Sequence, residues 1–429
     1  MKPTRPAAAL GLALALAAGT AEARVVRVSI ERREPVLAGR PFGLAGAYET
    51  LVGTVEFALD PALPQNQGIV DLELAPRNAQ DEVLFSADLY VLKPKDLARG
   101  NGRVYYEVPN RGGKGILRRL QYARSSLDPR EEADFGDGWL MEQGFSLVWM
   151  GWQWDVPELR GLLRLRAPIA TLGGRPITGL VRSVVLVDER KPLAPLGDRG
   201  HAAYPPVDPE GPDSRLYARN PNDFRPALRA LVRALDEWLA RAVPPPLSRY
   251  PRISDGTLEP PERAGFPALA GTSLPLVRNE PARMDFGPES AKGILTIEPP
   301  RLGHVYPALV PAVDQDGNDR AGIRLPEIAV PLATQTGWNP RHPRTGAPFA
   351  LAGVVGSYLP FARTKARREA ALDPRLSLEE RYPDRASYLG RIAEAALALT
   401  RERLLLPQDV VFVVDRAAAH WDLRAEADR

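Results

Sequence analysis

An apolar strand, Val104-Tyr105-Tyr106-Glu107-Val108, runs without a break into the turn Pro109-Asn110-Arg111-Gly112-Gly113-Lys114-Gly115; a helix near 133–143 and a second apolar strand at 145–150 follow. Strand, loop, helix and strand in that order is the building unit of an α/β sheet, because parallel neighbours need a crossover and a helix supplies it. The fold class is therefore α/β. Ahead of this unit, runs such as Val25-Val26-Arg27-Val28-Ser29-Ile30 and Val83-Leu84-Phe85-Ser86-Ala87-Asp88-Leu89-Tyr90-Val91, broken by turn residues, predict a small antiparallel, β-rich lead-in domain over 24–100.

The turn after the first strand is the best candidate for chemistry. Asn110, Arg111, Gly112 and Gly113 form an oxyanion-like loop: consecutive glycines let backbone N–H groups converge on one point, which is how an oxyanion hole or an anion nest is built. A flexible strand-to-helix connection explains the same glycines equally well. A phosphate-binding P-loop does not fit, since Lys114 is followed by Gly115 rather than Ser or Thr and the upstream glycine is missing.

Elsewhere the motifs are weak. A nucleophile elbow needs a serine between glycines on a sharp strand-to-helix turn. Ser273 and Ser357 come nearest, and neither has glycines at both required positions. The four histidines, His201, His304, His342 and His420, lie too far apart in sequence to offer a metal-ligand pair on one helix face. Asp314-Gln315-Asp316-Gly317-Asn318-Asp319 departs from a calcium loop at its sixth and twelfth positions, Asp319 and Leu325, and reads as a tight turn. Trp149, Trp152 and Trp154 read as core and rim residues at a strand end. No metal or other cofactor is called for.

The first 23 residues have the three parts of an export signal: Lys2 and Arg5, an apolar run over 7–18, and Ala21-Glu22-Ala23 before the cut. Cleavage is expected after Ala23, giving a periplasmic or secreted chain. The apolar run is too short to span a bilayer, and the absence of cysteine excludes a lipidated anchor. No stable membrane anchor is expected. A formal charge of +3, with both signs interspersed, lacks the concentrated basic face a nucleic-acid partner requires.

Further along, a helix is marked by Asn222 or Asp223 as cap, Pro226 in its first turn and Pro244-Pro245-Pro246 as its stop. Its leucines and valine, Leu228, Leu231, Val232, Leu235 and Leu239, predict the buried stripe, and Arg225, Arg229 and Arg233 the solvated face. A helix over 384–403 and a short terminal helix ending near His420-Trp421-Asp422 close the chain. The organisation expected is a signal (1–23), the lead-in (24–100), an α/β core (101–243) and a Pro-rich mixed extension (244–429).

Several strings add a resemblance. VPNRGGKG, GFSLVWMGWQWD, PLGDRGHAAYPP, NPNDFRPALRAL, AGIRLPEIAVPLATQTGWN and SYLPFARTKARREAALDPR together resemble the large bacterial family of alpha/beta hydrolase domain proteins. The resemblance implies that 104–108 and its loop correspond to the strand and oxyanion-forming turn of an ester-type serine hydrolase, and that 224–242 is the last helix of that fold. It also implies that a family member carries, between PLGDRGHAAYPP and NPNDFRPALRAL, a long stretch with the nucleophile elbow, further strands, the acidic residue and the catalytic histidine. Here the two landmarks nearly adjoin, with a junction near 214–220. The expected sheet thus lacks its central strands, and no catalytic residue carries over.

Three readings of function follow. The chain is a hydrolase-like protein that has lost its activity, through a deletion in the gene or an incompletely read one. It is an enzyme with a different site around Gly112-Gly113. Or it is a non-catalytic binding or interaction protein whose partner is a small ester or hydrophobic ligand near Trp149 to Trp154 and Asn110.

Overall fold

The computed structural model describes residues 23–178, 215–272, 281–343, 350–353 and 355–426. The export signal, His201 and Ser273 lie outside the described residues.

Seven segments build the main sheet: β1 (Arg24–Pro35), β2 (Pro41–Phe42), β3 (Gly46–Leu59), β4 (Val83–Pro94), β5 (Val104–Glu107), β6 (Ser146–Met150) and β7 (Leu165–Arg166). The order is β1-β3-β4-β6-β5, with β2 beside β3 and β7 beside β4. Among the described residues, only the β5–β6 pairing in this sheet is parallel. The lead-in strands and those of the α/β unit are therefore one structure: Val91 of β4 faces Val148 of β6 across the ladder. The division drawn at residue 100 falls inside this sheet.

Alternation along these strands decides which face is buried. Tyr48, Tyr90, Leu92, Leu147 and Trp149 point to one side, where α1 (Gly115–Leu120), α2 (Glu132–Phe135) and α3 (Trp139–Glu142) cover them. The single helix expected over 133–143 is two short ones. Gly136 and Gly138 break it with φ of +57° and +68°, and a Cβ on Gly136 would lie 1.8 Å from the Gln121 carbonyl oxygen. At the end of the sheet, β5 presents Val104 (63 % exposed) and Tyr106 (45 %) on the opposite face.

Four short antiparallel pairs make up the rest of the β structure among the described residues: β8 (Thr171–Leu172) with β9 (Arg175–Pro176), β10 (Leu258–Glu259) with β13 (Val310–Pro311), β11 (Ala282–Asp285) with β12 (Arg301–Val305), and β14 (Ala333–Gln335) with β15 (Tyr358–Pro360). The remaining helices are α4 (Arg225–Arg241), α5 (Pro326–Ala329), α6 (Lys365–Ala370), α7 (Leu378–Arg381), α8 (Arg385–Arg401) and α9 (Asp409–Glu426). Asp384 caps α8 by accepting from Ser387 N at 2.7 Å, so this start matches its sequence signal. The terminal helix is longer than expected, at 18 residues. A second core forms where Tyr388, Ile392 and Ala396 of α8 meet Val413 and Ala417 of α9, with Phe361 and Ala227 of α4. The described junction residues belong to this half as well: Leu216 N donates to Pro340 O at 2.9 Å, and Arg219 bridges to Ser357.

The helix α4 meets expectation in part, since Leu228 and Val232 of the expected stripe pack against the main core. Leu235 (49 % exposed) and Leu239 (69 %) face outward, whereas Ala227, Ala230, Ala234 and Arg229 are buried. Alanines let the backbone approach its neighbours closely, and a buried carboxylate supplies the reason for the arginine. Arg229 Nε meets Asp409 Oδ2 at 3.0 Å, its Nη1 meets Asp137 Oδ2 at 2.7 Å, and the guanidinium lies 4.6 Å from the Tyr122 ring centre. The arginine predicted to be solvated thus joins α4 to α9 and to the α2–α3 turn.

Burial pushes the Asp409 carboxyl up to about 6, against the pull of Arg229 and with help from the Asp137 charge. Its folded pKa therefore lies above the unfolded value, so the folded state holds the extra proton between roughly pH 4 and 6. The stability this group allows is present at the acidic end and lost as the pH rises through about 6. Thermal melts of wild type and Asp409→Asn across pH 4–7 should show the wild type losing ground to the variant as the pH rises. A constant difference would refute the assignment.

Candidate functional site

The glycine loop leaves the carboxyl end of β5 beside the start of α1. In α/β sheets that end is where ligands are met, because helix starts and loops converge there. Glu107, the last residue of β5, organises the floor. Its Oε2 accepts from Trp149 Nε1 at 2.6 Å and from Ile116 N at 2.8 Å, and its Oε1 meets Arg119 Nη1 at 3.3 Å.

The loop itself is held by the segment after β6. Arg111 N donates to Gln153 Oε1 at 2.6 Å, Gly112 N to Pro109 O at 3.1 Å and Gly113 N to Asn110 O at 3.3 Å. The Arg111 guanidinium clasps Asp155 through its Oδ1 and its carbonyl, both at 2.7 Å. Trp152 Nε1 donates to Pro109 O at 2.9 Å. Gly112 has φ +73°, and a Cβ there would lie 2.6 Å from the Leu163 carbonyl oxygen. This glycine therefore permits backbone contact with 163, whose N–H donates to Gly112 O at 3.0 Å.

This geometry bears directly on the oxyanion reading of Asn110, Arg111, Gly112 and Gly113. An oxyanion hole needs donors aimed at empty space where the charge will develop. The N–H groups of Arg111, Gly112 and Gly113 already have acceptors within the fold. Of the sequence candidates nearby, Trp149 is fully buried and edge-on to Tyr90 at 5.8 Å, whereas Trp152 and Trp154 are half-exposed or more.

Lys114 is also fixed by the fold. It is 6 % exposed, donates from Nζ to Leu127 O at 2.6 Å and to Gly161 O at 2.5 Å, and sits 4.5 Å from the Tyr90 ring centre. Burial pulls its ammonium down to about 8.

The other candidates are placed away from this loop. Ser357 is buried, and its Oγ donates to Trp338 O at 2.6 Å. His304 meets Tyr306 edge-on at 6.1 Å. The 314–319 segment is a tight turn, closed by Gly317 N on Asp314 O at 2.9 Å and Asp314 N on Asn318 O at 2.8 Å. Arg324 pairs with Asp314 at 2.7 Å, and Arg381 pairs with Asp316. Among the described residues no group of three or more acidic, histidine or cysteine side chains is arranged to hold a metal ion.

One grouping was not legible in the sequence. Tyr358 Oη lies 2.6 Å from His420 Nε2, and His420 Nδ1 lies 3.6 Å from Glu327 Oε1. Hydroxyl, imidazole and carboxylate in a line resemble the parts of a catalytic triad. The hydroxyl is a phenol that burial pushes up to about 12, and the hollow beside Glu327 measures about 10 Å³, room for a water at most. The grouping ties α9 to α5 and β15. Nothing in the local sequence announces it, because its members come from three separate elements.

A family model described as alpha/beta hydrolase domain matches residues 187–415, more than half of the chain. The chain belongs to the alpha/beta hydrolase domain family. The matched span includes α4, α5, α8 and the 214–220 junction; it begins after β6, so the glycine loop lies outside it. No curated protein and no solved structure matches the chain. Within the alpha/beta hydrolase domain family, then, this chain combines a mixed sheet and a β-rich N-terminal region with nine α-helices among the described residues. None of those helices is long and apolar enough to cross a membrane.

Proposed function

We propose that this chain is an exported family member that binds a small ester-like or hydrophobic ligand without hydrolysing it, its nucleophile-bearing segment being missing at the 214–220 junction. The observation that carries the reading is the state of the glycine loop. Its three amides, the best candidates for an oxyanion hole, are bonded within the fold. Two further features agree with a missing centre. Among the described residues the sheet ends at β5 with Val104 and Tyr106 exposed, at the edge where further parallel strands would add, and the α4 leucines Leu231, Leu235 and Leu239 are left exposed. Loss of nucleophile and base together removes nearly all of a Ser–His–acid system's power.

Export rests on the three-part signal, and β1 starts at Arg24, so cleavage after Ala23 would leave that strand whole. Intact-mass measurement of the exported chain after treatment with a fluorophosphonate tests both parts. The expected product begins at Arg24 and carries no adduct. A stoichiometric adduct on a serine would restore the hydrolase reading, and a retained leader would remove the export reading.

A further inference from the structure

Beside the glycine loop lies a cavity of about 340 Å³, bounded by the end of β5, the first turns of α1 and residues 125–127. Its size is at the lower end of small-molecule sites. Three cations line it, Lys114, Arg118 and Arg119, against one carboxylate, Glu107, which Arg119 and Trp149 already satisfy in part. The Arg118 guanidinium has no acidic partner among the described residues, and the side chains of Asn110, Ser125 and Ser126 also make no internal hydrogen bond there. Val108 and Leu127, both substantially exposed, give the same cavity an apolar rim.

From this arrangement we propose that the cavity binds a small monocarboxylate with a short apolar body. A free guanidinium presents a planar fork that matches a carboxylate bidentately. Hydroxyl and amide donors from Ser125, Ser126 and Asn110 surround the head group, and Val108 and Leu127 receive the carbon skeleton. The Glu107 charge on the floor favours a single negative charge over a phosphate dianion. The proposal rests on the non-catalytic binding reading above and narrows its ester-like ligand to one whose head group is an ionised carboxylate.

Calorimetric titration of the mature chain with benzoate tests this, with benzamide and inorganic phosphate as comparators. Benzoate should bind in the sub-millimolar range, benzamide should give no heat, and phosphate should bind at least tenfold more weakly. Arg118→Ala should weaken benzoate at least tenfold and leave the melting temperature unchanged, because this exposed side chain holds nothing else. Arg118→Lys should recover part of the loss. Equal binding of benzamide or phosphate, no heat with benzoate, or an unaffected Arg118→Ala variant would overturn the proposal. A chain that binds benzoate and also turns over esters keeps this site and loses the non-catalytic reading. One that does neither keeps that reading and loses this site.

Discussion

Arg229→Ala should destabilise the chain by about 3–5 kcal/mol, the usual cost of removing one partner from a buried ion pair. The side chain is fully buried and makes three kinds of contact at once. It pairs with Asp409 and Asp137, donates to Leu120 O at 2.8 Å, and stacks against Tyr122 and Trp139. Truncation leaves Asp409, itself 2 % exposed, with its charge uncompensated between α4 and α9. Adding Asp409→Leu to an Arg229→Met background should recover much of the loss, since two apolar groups of similar volume carry no desolvation cost. Urea denaturation of the three variants checks this. A loss below about 1 kcal/mol for Arg229→Ala would place the residue among ordinary surface arginines, as its sequence pattern suggested.

Trp149→Ala should cost a comparable amount, about 3–5 kcal/mol, the range for deleting a buried aromatic side chain. Trp149 fills the space between the sheet and its helices and packs edge-on against Tyr90. Its indole N–H also anchors Glu107, which in turn holds the first turn of α1 through Ile116 N. Trp149→Phe keeps most of the volume and removes the donor, so it should cost about 1–3 kcal/mol, the cost of a hydrogen bond to a charged group. Equal effects for the two variants would show that the Glu107 bond, not the packing, dominates. Thermal and urea melts resolve the two cases.

Much of the architecture was legible from local pattern. The runs at 25–30 and 83–91 marked β1 and β4, and Pro226, Pro244 and Asp384 bounded helices that the structure places within a residue or two. What failed was long-range. Leucine spacing in α4 pointed to one face, but the face that packs is set by the alanines and by the need of Asp409 for a counter-charge, which only the meeting of α4 with α9 creates. The glycines of 112–113 signalled a special backbone, and the structure gives Gly112 a reason of packing against Leu163. Whether such glycines present free amides depends on what docks on them, here Gln153 among others, and periodicity carries no record of docking. The Tyr358–His420–Glu327 line was hidden for the same reason.

The central claim, a hydrolase-family scaffold without hydrolysis, is tested most directly by the turnover of p-nitrophenyl butyrate by the purified mature chain. The expected rate does not exceed that of the same chain unfolded in urea. Saturable turnover, on the order of 1 per second or faster as is usual for enzymes and abolished by a fluorophosphonate, would contradict the claim and place a working nucleophile in this chain.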